Sequence, residues 1–140
     1  MELSNENKKI IYDEIKFVVD ILKENEDIDE ILYFLSAIHP MIKRIFNIEF
    51  NKHLVFMNFV LGNCFGAIMT AVNIVKQEKQ PVIINLDFFH KYYKLLEELA
   101  EAFIEDKLVY EILEKLSLLI YSISGNGYYL QQKGVKVIDF

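Results

Sequence analysis

Between Lys52 and Lys76 the chain carries no Asp, Glu, Lys or Arg. That uncharged run, residues 53–75, limits the possible folds more than any other feature. It is long enough to cross a bilayer as a helix, which takes about 20 mostly apolar residues. It also contains Gly62-Asn63-Cys64-Phe65-Gly66, a G-x-x-x-G spacing that lets helices approach closely. The competing reading is a central helix buried on most sides within a bundle. Three amides, Asn58, Asn63 and Asn73, are costly in lipid. Asn58, Gly62, Gly66, Thr70 and Asn73 follow one another at spacings of four, four, four and three, so they make one narrow small-and-polar face. Leu54, Phe56, Phe59, Leu61, Phe65, Ile68 and Val72 spread around the rest. The bundle reading is preferred, and a membrane span at 54–75 is the alternative. Asn58, Gly62, Gly66, Thr70 and Asn73 are the candidate helix-packing or interface residues.

The remaining segments are amphipathic and need an apolar partner. Ile11, Ile15, Val18 and Leu22 repeat at helical spacing, widened by Ile10, Phe17 and Ile21, which predicts a helix over about 5–23. Asp27 with Glu30 three residues later resembles a capping box. Ile28, Ile31, Leu35, Ile38, Ile42 and Ile45 then share a face. Pro40 interrupts that stripe and predicts a kink or break near His39-Pro40. Asn51 is an N-cap candidate, flanked by Phe50 and Val55 as a hydrophobic staple, for a helix running to about Lys76. Pro81-Val82-Ile83-Ile84 reads as extended. Asn85 predicts another cap, before a stripe of Phe89, Tyr92, Leu96, Leu99 and Phe103. Glu105-Asp106 is expected to open the last helix, with Val109, Ile112, Leu116, Leu119 and Ile123 on one face. Gly125-Asn126-Gly127 is a stop signal, and 128–140 reads as an extended, β-like tail. The expectation is a mainly α, single-domain bundle of about five helices over 1–140, arranged around a central hydrophobic helix at about 52–76. A length of 140 residues, 53% of them apolar, suits one such domain.

Charge narrows the partners. The net charge is −6, and only one of the 15 bases is arginine, Arg44. An acidic, arginine-poor chain lacks the field and the bidentate donors that duplex binding uses, so nucleic acid is not an expected partner. The single Cys64 makes no internal disulfide and lies in an apolar run, which points to a reduced, cytoplasmic setting. The polar start, Met1-Glu2-Leu3-Ser4-Asn5-Glu6, does not read as a secretory signal.

Catalytic and metal-binding patterns are missing. His39, His53 and His90 are scattered, and no Glu-x-x-His pair occurs. Asp87-x-x-His90 and Glu49-x-x-x-His53 each offer two ligands where a zinc site takes three or four. Glu97, Glu101 and Glu105, with Glu98 beside them, fit a solvated helix face. Cys64 lacks the electropositive surroundings of a reactive thiol. No G-x-S-x-G, G-x-G-x-x-G or P-loop motif is present. Phe88-Phe89-His90-Lys91-Tyr92-Tyr93-Lys94 interleaves rings with bases in the manner of a stacking platform, but Phe89, Tyr92 and Leu96 fall on the core face. No cofactor and no metal are expected.

The C-terminal third resembles a winged-helix domain. Glu98-Leu99-Ala100-Glu101-Ala102-Phe103 is similar to the first helix of its helix-turn-helix, 108–119 to the recognition helix and 120–130 to the wing. Tyr129-Leu130-Gln131-Gln132-Lys133-Gly134 is similar to the Y-x-L-T-x-x-G stretch after the wing. The resemblance implies a transcriptional regulator. It departs in charge, since Glu111 and Glu114 beside Lys115 would repel a phosphate backbone. The preferred function is a non-enzymatic protein-interaction or oligomerisation module that forms a homodimer; the regulator and the membrane-associated protein are the alternatives.

Overall fold

The computed structural model describes residues 3–77 and 86–123. Among them are six helices and no strand: α1 (Asn5–Leu22), α2 (Ile28–Leu35), α3 (Ile38–Ile48), α4 (Lys52–Gln77), α5 (Leu86–Ile104) and α6 (Tyr110–Tyr121). The chain is mainly α, an all-helical bundle as expected. The extended run at 81–84, the Asn85 cap, the Gly125-Asn126-Gly127 stop and the β-like tail at 128–140 lie outside the described residues.

Local chemistry explains where the helices begin and end. Ser4 caps α1, its hydroxyl accepting the Asn7 backbone N–H at 3.2 Å. Asp27 caps α2, its Oδ1 accepting from the backbone of Asp29 and Glu30 at 3.0 and 3.3 Å. The reciprocal half of the capping box runs through Asn25. Its side chain donates to Glu30 at 2.8 Å and accepts the Asp27 N–H at 2.9 Å. Asn51 caps α4 as expected, its Oδ1 accepting from His53 at 2.9 Å and Leu54 at 3.3 Å. The staple around it does not close, because Phe50 remains 80% exposed.

Pro40 acts four residues upstream of its own position. A proline at 40 cannot donate to the carbonyl of Ser36, and its ring crowds that carbonyl. The helix therefore ends at Leu35, with Ser36 and Ala37 forming the turn. Pro40 itself sits in the first turn of α3, where no intrahelical donor is required. The expected break at His39-Pro40 thus lies at Ser36-Ala37.

The start of α6 also differs from expectation. Asp106 adopts a left-handed φ of 55°, and the Lys107 N–H donates to the Ala102 carbonyl at 2.9 Å. This is a Schellman closure of α5 with aspartate where glycine is usual. Glu105-Asp106 therefore end α5, and α6 begins at Tyr110.

The apolar stripes meet in one cluster of buried side chains. Helix α1 packs against α5, α3 against α4, and α6 against both α4 and α5. Helices α1 and α5 run antiparallel: Lys8 pairs with Asp106 at 3.3 Å, whereas Lys16 and Lys23 both reach Glu97. Ile11, Ile15, Val18 and Leu22 are buried, as are Phe89, Tyr92, Leu96, Leu99 and Phe103. Each such side chain, fully buried, contributes roughly 1.5–3 kcal/mol of transfer free energy. Two expectations are corrected on α1. Ile10 and Phe17 are exposed, Phe17 at 63%, and Val19 takes their place in the core. On α6, Leu113 rather than Ile112 is fully buried.

Candidate interaction surface

Helix α4 presents one face to the core and another to solvent. Leu54, Met57, Leu61, Cys64, Ile68 and Val72 are buried at helical spacing. Val55, Phe59, Asn63, Gly66, Thr70 and Asn73 follow spacings of four, four, three, four and three on the opposite side, and all are exposed. Only a third of the apolar span Lys52–Ile74 is buried. The expectation of a helix buried on most sides is therefore corrected: two flanks and the core cover part of it, and an uncharged outer strip is left open.

The five candidate interface residues divide between flank and strip. Gly62 faces α3, where a Cβ would lie 3.8 Å from His39 Cδ2. The His39 ring also lies 5.7 Å from that of Phe65. Asn58 is half-buried on α4, and its Oδ1 is buried without a hydrogen-bond partner. Gly66, Thr70 and Asn73 belong to the open strip. Nothing lies within 4 Å of a Cβ built at Gly66, and the Thr70 hydroxyl donates back to the Gly66 carbonyl at 2.9 Å. The other flank belongs to α6. Tyr110 stands 5.0 Å from the His53 ring and 5.7 Å from the Phe56 ring. Tyr110 was not foreseen as part of this surface, because Glu105-Asp106 looked like the start of its helix.

The strip is bulky at one end and small at the other. Phe59 is 68% exposed, and Ile48 and Phe50, in the chain leading into α4, are 86% and 80% exposed. Beyond Asn63 the strip carries the small residues Gly66 and Thr70, with open space over Gly66.

The other candidate constellations do not assemble. No group of three or more His, Cys, Asp or Glu able to hold a metal occurs among the described residues. Cys64 is buried, and burial pushes its thiol up to about 12. Burial lowers the pKa of His39, which favours the neutral ring. Glu101 and Glu105 are exposed, as a solvated face requires, but Glu97 turns toward α1 and pairs with Lys16 and Lys23. Phe88, Phe89, Tyr92 and Tyr93 are all buried, so no phenylalanine or tyrosine ring in that run is free to stack on a base. Residues 98–103 form the end of the long helix α5, and Glu111, Glu114 and Lys115 are on the exposed face of α6.

No family model, curated protein or solved structure matches the chain.

Proposed function

We propose that this chain is a non-enzymatic, cytoplasmic protein-interaction module that self-associates through the outer strip of α4. The observation that carries the reading is the strip itself: 20 Å or more of exposed helix surface without one charge, on the order of the 1.5 Å rise per residue over Val55 to Asn73. The exposed apolar side chains at its bulky end, Val55 and Phe59, are of the kind that marks an interaction site. Its two ends are complementary. In an antiparallel pair related by a twofold axis beside Asn63, Phe59 of one copy faces Gly66 of the other, so a ring fills the open space over a glycine twice. Twofold pairing uses one patch on both copies and closes on itself.

The test is the molar mass by light scattering at micromolar concentration. A dimer is expected for the parent chain and a monomer for Phe59→Lys. In the antiparallel register, Gly66→Lys, which fills the space opposite the Phe59 ring, is likewise expected to give a monomer. A monomeric parent overturns the reading, and a dimer that survives Gly66→Lys overturns its register.

Membrane association is the second reading, favoured by one observation. Lys52–Ile74 is the one candidate span among the described residues, with a mean hydropathy of 1.7. Fractionation without detergent separates the two: pelleting with membranes supports the span, and a soluble dimer supports the module.

A further inference from the structure

The corner between α3 and α4 carries a second feature, apart from the pairing strip. Ile48 and Phe50 are the two most exposed of the large apolar side chains among the described residues. Their presentation is built into the chain path. Glu49, between them, is held to α1 by hydrogen bonds from Ser4 and Asn7. Asn51, the next residue, is buried and caps α4. With both neighbours fixed, the backbone sets Phe50 outward. Phe56, one turn into α4, is also exposed and extends the apolar surface. Side chains open to this degree project from a convex corner; the walls of a peptide groove would cover part of them.

Cations flank these side chains. Lys43 and Arg44 are on the exposed side of α3, and Arg44 stands one helical turn before Ile48. Lys52 opens α4, one turn before Phe56. None of the three makes an ion pair or a side-chain hydrogen bond among the described residues. Between Glu30 and Glu78 the sequence has one acid, Glu49, whose carboxylate is turned to α1. The acids of α2 stand at the other end of α4, where Asp29 pairs with Lys76 at 2.8 Å. That end is about 36 Å from Lys52 at the helical rise per residue. On the elements that meet the near end, Asp106 pairs with Lys8, Glu105 with Lys107 and Glu111 with Lys115. Glu6, in the first turn of α1, and Glu49 are left against three unpaired cations. In a chain of net charge −6, the local surplus is positive and sits beside the two apolar side chains.

This pairing of chemistries matches a bilayer interface. Apolar side chains enter the boundary between headgroups and acyl chains, while lysine and arginine meet anionic headgroups. An acidic protein partner would need a pocket shaped for two projecting side chains; a bilayer needs none. We propose that the α3–α4 corner docks on an anionic lipid surface, with Ile48 and Phe50 entering the headgroup boundary and Lys43, Arg44 and Lys52 on the headgroups. The chain rests on that surface and does not cross it. The docking does not depend on self-association.

The experiment is cosedimentation of the full chain with vesicles of phosphatidylcholine and phosphatidylserine in equal parts, against phosphatidylcholine alone. Binding is expected to the mixed vesicles only, and raised salt should release it. Lys43→Gln with Arg44→Gln, and separately Ile48→Ser with Phe50→Ser, should each weaken it about tenfold or more. All four side chains are exposed, so both double variants should melt close to the parent. Light scattering without vesicles should give both the parent's molar mass, which keeps docking separate from self-association. Equal binding to the two kinds of vesicle, binding that resists salt as a span would, or retention in both double variants overturns the proposal. So does failure to bind the mixed vesicles, which would leave an acidic protein as the partner. A changed mass in the Ile48→Ser and Phe50→Ser variant also overturns it and assigns the corner to the contact between copies.

Discussion

Glu49, the residue that ends α3, binds Ser4, the residue that caps α1, twice. Its Oε1 accepts the Ser4 backbone N–H at 2.8 Å, and its Oε2 accepts the Ser4 hydroxyl at 2.9 Å. Asn7 adds a side-chain donor to Oε2 at 2.5 Å. One carboxylate thereby satisfies the donors at the start of α1 and also meets the positive end of its dipole.

A pH dependence follows from this contact. Hydrogen bonds from Asn7, then from the Ser4 side chain and backbone, hold the Glu49 carboxyl below its ordinary value of 4.5. Because the folded pKa is below the unfolded one, the unfolded chain binds the proton more readily. The contribution is fully present above the ordinary value and is lost as the pH falls through the depressed folded value. Glu49→Gln is expected to melt below the parent at neutral pH, with the gap closing in acid. Melts of both proteins between about pH 7 and about pH 3 check this; a gap of constant size across that range contradicts it.

Cys64 is expected to be inert in the folded protein. It is buried in the core beside Tyr92. With its pKa pushed up to about 12, almost no thiolate exists at neutral pH. Alkylation by iodoacetamide should be slow in buffer and rise by about two orders of magnitude or more in denaturant, because labelling waits for opening. Native-state labelling at the rate of a free thiol would sink this account.

The cap and the failed staple of α4 make opposite predictions at neighbouring positions. Asn51 is 6% exposed, and its side chain accepts two backbone N–H groups. Asn51→Ala is expected to cost about 1 kcal/mol in urea unfolding. Phe50→Ala, which removes a larger and more apolar side chain, is expected to stay within about 0.5 kcal/mol because that ring is exposed. A larger loss at Phe50 than at Asn51 would show that the staple forms in solution.

The sequence was most legible where one helix turn decides the outcome. The stripe Ile11, Ile15, Val18 and Leu22 is buried, and Asp27 and Asn51 cap as their side chains allow. Legibility ends where the decision is long-range. Phe17 and Phe50 are apolar enough for a core, yet no other element comes to cover them. Glu97 belongs to a regular acidic row, and only the antiparallel arrival of α1 turns it from a solvated group into a partner of Lys16 and Lys23. Pro40 was a visible breaker, but the group it affects is the carbonyl four residues before it. Among the interface candidates, spacing placed Gly62 and Gly66 on one face. It did not reveal which of them α3 covers: Gly62 lies against His39 and Gly66 in the open.

That division provides the last prediction. Glycine in a helix interior costs about 0.5–1 kcal/mol relative to alanine. A Cβ at Gly66 meets nothing within 4 Å, and one at Gly62 meets His39 Cδ2 at 3.8 Å, an ordinary contact. Both Gly66→Ala and Gly62→Ala should therefore stabilise the isolated chain by about that amount, measured by urea unfolding below the dimer dissociation constant. Self-association should separate them. In the proposed antiparallel pair the partner's Phe59 ring sits over Gly66, so a methyl there pushes the helices apart. Gly66→Ala should weaken the dimer about tenfold or more, which is about 1.4 kcal/mol. Gly62, turned toward α3, should lose far less. Sedimentation equilibrium on the two variants decides the matter: opposite signs of the two effects at Gly66 support a pairing helix, and a dimer indifferent to Gly66→Ala removes α4 from the interface.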